Sequence, residues 1–93
     1  MRNIEYKASF DRLYRKLDAN DQETVDEVLE EFLSALEAKE LPKGLGLKRL
    51  SGDIWEIRAN LSLRVGFQMK KDSIHFGVVG THETIKKFLK NSL

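Results

Sequence analysis

The chain carries two histidines, no cysteine, and a scatter of arginines and lysines along stretches that alternate apolar and polar residues. That inventory narrows its chemistry. Without cysteine there is no thiolate nucleophile, no disulfide and no cysteine-ligated zinc, and the lack of cysteine fits a reducing compartment. His75 and His82 lie seven apart, which is not a metal-ligand spacing, so neither a metal nor another cofactor is expected. No phosphate-cradling P-loop and no G-x-G-x-x-G is present, and spacing alone supports no Ser-His-Asp arrangement. What remains is metal-free: cationic side chains to hold phosphate and a histidine to move a proton. His82 follows Gly80-Thr81, where Thr81 can cap a helix. The positive end of that helix's dipole favours a neutral imidazole, able to act as a base and then as an acid. Arg58 and Arg64 stand on strand-like stretches, and a guanidinium suits two-pronged contact with phosphate. Lys48 and Arg49 add an adjacent pair of cations, while Gln68 and His75 share the polar side of the later strands.

Each of these residues also has an ordinary reading. Arg58 or Arg64 can form a surface ion pair with Glu56, itself able to serve as an acid or a base. His82 can be a plain polar residue at a helix start, and His75 an incidental strand histidine. One of Lys48 and Arg49 can simply face water, and Trp55 can be a core residue beside Ile57 rather than a platform for a base.

The elements that must position these groups follow from periodicity. Leu61, Leu63, Val65, Phe67 and Met69 alternate with Ser62, Arg64, Gly66 and Gln68, which predicts a strand with one face on a core. Lys70 to Ser73 forms a short polar connection, and Ile74 to Val79 a second strand with Ile74, Phe76 and Val78 on one face and His75, Gly77 and Val79 on the other. The glycines inside this hairpin mark places where another group comes close. Earlier, Asn3 to Lys7 is a short strand. Ser9 can cap a helix carrying Phe10, Leu13, Tyr14 and Leu17, and Asn20 or Asp21 a second one carrying Val25, Val28, Leu29, Phe32, Leu33 and Leu36. A short polar turn between them predicts an antiparallel helical hairpin. Leu41-Pro42-Lys43-Gly44 reads as a loop, Leu45 to Leu50 and Ile54 to Arg58 as strands around the Ser51-Gly52-Asp53 turn, and Ile85, Phe88 and Leu89 as the apolar side of a C-terminal helix. The class is α+β: an N-terminal strand and a helical hairpin packed on a small antiparallel sheet, closed by a short C-terminal helix.

Residues 1–93 fit one domain with one modest core. The N-terminus lacks the apolar run of a signal peptide and no stretch approaches a membrane span, so a cytoplasmic protein is expected. The net charge of +1 hides an asymmetry. Residues 18–40 hold nine acids against the single Lys39, whereas residues 41–93 hold ten Lys or Arg against four acids. One part of the molecule can therefore face a polyanion.

The run L-K-R-L-S-G-D-I-W-E-I-R, followed by L-R-V-G-F and then G-T-H-E before a helix, resembles the RelE/ParE superfamily of bacterial toxins, with the G-T-H ending similar to the YafQ branch of RelE-type mRNA interferases. The resemblance implies a cytoplasmic toxin of a type II toxin–antitoxin system, an endoribonuclease that cuts mRNA on the ribosome without a metal. The ribose 2′-OH is the nucleophile, and the products are a 2′,3′-cyclic phosphate and a 5′-hydroxyl. By position it implies His82 as general acid or base, Arg64 as stabiliser of the phosphate's developing charge, and Lys48 as second proton carrier or charge stabiliser. Arg58 would bind phosphate, with Arg49, Gln68 and His75 as further RNA contacts. The partners implied are a cognate antitoxin protein, the ribosome and mRNA. Glu83 stands where some members carry an aromatic residue, and a histidine-rich loop of the YafQ branch is absent. A ParE-like toxin that binds DNA gyrase without catalysis, or an inactive partner-binding relative, remains the alternative.

Overall fold

The computed structural model describes residues 2–40 and 44–92. The expected loop at Leu41-Pro42-Lys43 lies outside them. Among the described residues the order is β1 (Asn3–Tyr6), α1 (Ala8–Arg15), α2 (Ala19–Glu37), β2 (Lys48–Ser51), β3 (Ile54–Arg58), β4 (Arg64–Met69), β5 (Ser73–Gly80) and α3 (His82–Ser92). The α+β class is as expected, with the sheet ordered β1-β5-β4-β3-β2. The sheet is mixed rather than wholly antiparallel. β1 joins it beside β5 in parallel, with Asn3 opposite Ser73 and Tyr6 opposite Phe76, whereas the other neighbours run antiparallel.

The helical hairpin forms for the reason its periodicity gives: Val25, Val28, Leu29 and Phe32 fall on one stripe of α2 and are buried. They meet Ile57, Val65, Phe67, Ile74, Phe76 and Val79 from one face of the sheet. Phe32 packs on Phe67 at a ring separation of 4.8 Å, and Phe67 on Phe76 at 5.6 Å. Each such fully buried side chain contributes about 1.5–3 kcal/mol. The caps differ from expectation. Asp18 caps α2, accepting from the Asp21 N–H at 2.8 Å, so this helix starts ahead of Asn20. At α1 the cap position is Lys7 and no side chain caps it; the Ser9 hydroxyl instead donates to the Gly77 carbonyl at 2.6 Å, pinning the helix to β5.

Two irregularities decide which residues share a face. Asn60 accepts from the N–H groups of Ser62 and Leu63, both at 2.8 Å, closing a turn that delays β4 until Arg64. Leu61 consequently points to solvent, 91% exposed, rather than joining the core. In β5, Phe76 pairs with Phe67 but Val78 pairs with Gly66, so Gly77 is an extra residue in the ladder. Beyond this bulge the alternation changes phase. Val79, opposite Val65, enters the main core, and Val78 turns to the other face, the reverse of the expectation for both.

That other face is partly covered by α3. A Cβ on Gly66 would meet Val78 at 2.5 Å and Ile85 at 3.5 Å, and one on Gly77 would meet the Phe88 ring at 2.7 Å. The strand glycines therefore do mark a close approach, and what approaches is mostly the terminal helix.

Candidate functional site

Directly paired residues in a sheet project to the same side. Arg58, Arg64 and Gly80 make one cross-strand row, and Lys48, Glu56, Gly66 and Val78 the next. Both rows lie on the face away from the helical hairpin. Beyond Gly80 the chain turns into α3, whose start is capped as expected: the Thr84 N–H points to the Thr81 hydroxyl at 3.4 Å, and the Ile85 N–H donates to the Thr81 carbonyl at 3.0 Å. His82 is the first residue of that helix and is exposed. The topology thus brings Arg64, Arg58 and Lys48 onto one face, with His82 following the strand that ends opposite Arg64.

Arg64 is the best-held cation of the group. Its Nη1 donates to Glu56 Oε2 at 3.1 Å, and the two side chains are 20% and 5% exposed. Glu56 is buried although it lies between Trp55 and Ile57 on the face that alternation assigns to water. Arg58, directly opposite Arg64, is exposed and lies along Gly46, where a Cβ would sit 3.2 Å from its own Cβ and 3.6 Å from Nε. Gly46 also has φ +61°, a left-handed backbone that favours glycine. Two guanidinium-bearing residues facing each other across the ladder repel, and an anion between them relieves that repulsion. Lys48 is exposed and sits beside Glu56 in register.

The remaining sequence candidates are placed elsewhere. Arg49 pairs with Trp55, so it lies on the opposite side of the sheet from Lys48, and its Nε donates to the Gly52 carbonyl at 2.6 Å. Gln68 donates to both carboxylate oxygens of Asp53, at 3.2 and 3.1 Å. His75 is engaged at both nitrogens: Nδ1 lies 2.6 Å from Glu5 Oε2 and Nε2 2.9 Å from the Ser73 hydroxyl. This Ser73–His75–Glu5 chain ties β1 to β5 at the far end of the sheet from Arg64. It was invisible in the sequence because Glu5 is distant along the chain. Glu5 is 64% exposed, and the chain serves strand pairing. Trp55 packs against the core, as its ordinary reading has it.

Among the described residues no group of three His, Cys, Asp or Glu side chains is placed to hold a metal ion, and no helix is long and apolar enough to cross a membrane. A groove of about 460 Å³ opens at the end of the sheet, between Leu13 of α1, Leu17 just after it, the Asn60–Leu63 turn, Gly80 and Thr81, and Thr84 of α3.

No protein-family model matches the sequence, and no curated protein matches it. Solved structures do match over nearly the whole chain. YafQ from E. coli aligns with a TM-score of 0.68 at 16% identity, covering 91% of this chain and 98% of YafQ. The RelB–RelE antitoxin–toxin complex from Methanococcus jannaschii gives a TM-score of 0.70 at 15% identity, covering 90% of this chain and 96% of the matched one. The YoeB dimer from Staphylococcus aureus gives 0.66 at 18% identity, covering 87% and 97%. The helical hairpin, the five-stranded mixed sheet and the closing helix of this chain are therefore the fold of the RelE-type toxins.

Proposed function

We propose that the chain is the toxin of a type II toxin–antitoxin pair and a metal-free endoribonuclease that cuts mRNA on the ribosome. The observation that carries this reading is Arg64, fixed by Glu56 in the row that leads through Gly80 to His82. The fold shared with RelE and YafQ supports it, as does RelE's capture with RelB in one complex. The cognate partner of this chain would be an antitoxin, and its substrate mRNA in the ribosome.

The chemistry needs three things, and the face offers a residue for each. A base must take the proton of a ribose 2′-OH, so that the oxygen attacks the adjacent phosphorus. An acid must give a proton to the departing 5′-oxygen. Between these steps the phosphorus carries extra negative charge. Arg64 neutralises that charge with its unpaired edge, and Arg58 grips the neighbouring phosphate. His82 moves one proton and Lys48 serves as the second carrier. The free N–H groups of the first turn of α3 add a positive field beside His82.

Primer extension on an mRNA translated in vitro tests the reading. Cuts that need ribosomes and disappear with His82→Ala are expected. Intact mRNA at high protein concentration would overturn it and redirect attention to a gyrase cleavage assay.

A further inference from the structure

We infer that Glu56 is a positioning residue that holds one edge of the Arg64 guanidinium so that the other edge meets the scissile phosphate, and that it does so at the expense of RNA affinity. The catalytic half of this rests on the nuclease reading above; the geometric half does not.

Glu56 is the buried charged residue among those described, 4% exposed, and its ionic partner is Arg64. A carboxylate in such a place is tolerated when it is paired, and removing either partner leaves the other desolvated and alone. Arg64 therefore cannot swing away without stranding Glu56. The contact uses Nη1 alone, and among the described residues Nε and Nη2 have no hydrogen-bond partner. That leaves a pair of parallel donors, the arrangement that matches two phosphate oxygens. The diagonal geometry makes this possible. Arg64 pairs with Arg58 while Glu56 pairs with Gly66, so the carboxylate reaches Arg64 from the next row instead of standing in front of it. Gly66 offers no side chain to intervene.

The same carboxylate is a negative charge beside a site for a polyanion. It weakens ground-state RNA binding while fixing the group that acts in the transition state. Binding energy not spent in the ground state does not slow the chemical step, whereas a fixed donor speeds it. Glu56 should thus lower affinity and raise rate. A residue that merely maintained the fold would raise both.

The experiment compares wild type with Glu56→Gln, which keeps shape and removes charge. Affinity is read on a short single-stranded RNA made uncleavable by 2′-deoxy substitution. Rate is read as single-turnover cutting on programmed ribosomes. Order at Arg64 is read by nitrogen-15 relaxation of its Nε–H. The expected result is RNA binding about threefold tighter, cutting at least about tenfold slower, and an Arg64 guanidinium that is ordered in wild type and averaged in the variant. Parallel losses of affinity and rate with Arg64 order unchanged would overturn the inference, as would an unchanged rate. Should wild type cut nothing, the nuclease reading falls and the relaxation data still decide the pairing. A guanidinium that averages freely in wild type refutes it whatever the stability of the variant.

Discussion

Arg64 does two jobs that mutation can separate. It neutralises the buried Glu56 and, in the proposed reaction, stabilises phosphate. Arg64→Ala is therefore expected to lose cutting by about 100-fold or more and also to cost about 3 kcal/mol in urea unfolding, because Glu56 stays buried without a partner. His82 is exposed at a helix start, so His82→Ala should match that loss of cutting with an unfolding midpoint close to wild type. Equal destabilisation in both variants would contradict this placement. The tyrosines give a separate test at high pH. Tyr14 is pushed above its usual value mainly by donating to Asp26 at 2.7 Å, with burial second; Tyr6 is raised by burial first and the Asp26 charge second. A value raised in the folded state means that the protonated phenol stabilises the fold. That stabilisation is complete below the unfolded value of about 10 and is lost as pH rises through the folded one. Thermal midpoints should therefore show no loss from this source up to about pH 9 and drop as pH rises above about 10, by less in Tyr14→Phe. At this scale the sequence identified the kinds of group and offered Glu56 as a partner for Arg64, but not the partners of the others. Nothing local to Gln68 or His75 announces Asp53 or Glu5, and Glu56 reads as solvated because alternation cannot reveal that the second face is also covered.

Periodicity was a sound guide to the elements, because the α2 stripe and the β4 alternation are set by the core they face. It failed where one hydrogen bond or one extra residue reset the count. The Asn60 turn removed Leu61 from β4, and the Gly77 bulge exchanged the faces of Val78 and Val79. A bulge leaves no signature in composition, and a parallel partner for β1 cannot be read from β1 alone. Two element-scale consequences can be measured. Gly77→Ala drives a methyl into the Phe88 ring, so α3 must shift; the expected cost is about 1–3 kcal/mol, with amide exchange quickening in α3 before the rest of the fold. If α3 kept its protection, the close approach would be mistaken. Asp18→Ala removes the cap of α2 and should cost about 1 kcal/mol, read as a lower denaturant midpoint with an unchanged slope.

Across the whole molecule, the charge asymmetry of the sequence becomes a division between two sides. The acidic α2 packs on the core face, while Arg58, Arg64, Lys48 and the α3 lysines belong to the other. The shortest dimension of the molecule is 21 Å, well beyond the Debye length of about 8 Å at physiological salt. Replacing Glu23, Glu27, Glu30 and Glu31 with glutamine should accordingly change RNA affinity by less than about twofold at about 0.15 M salt, and visibly more near about 0.01 M, where the Debye length grows to about 30 Å and exceeds that dimension. A large effect at physiological salt would place α2 near the RNA. The parallel pairing of β1 has a consequence of another kind, in the order of folding. Asn3 is made well before its partner Ser73, and β5 stands between β1 and β4. While the chain is being synthesised, the helical hairpin and the β2-β3-β4 strands can form early, but β1 has no strand to pair with until β5 emerges. The long chain separation makes this closure slow relative to helix formation. Arg64 and the segment leading to His82 are drawn together in that same step, so a chain made only as far as β4 has the acidic helix and the cationic strands but lacks His82 beside them.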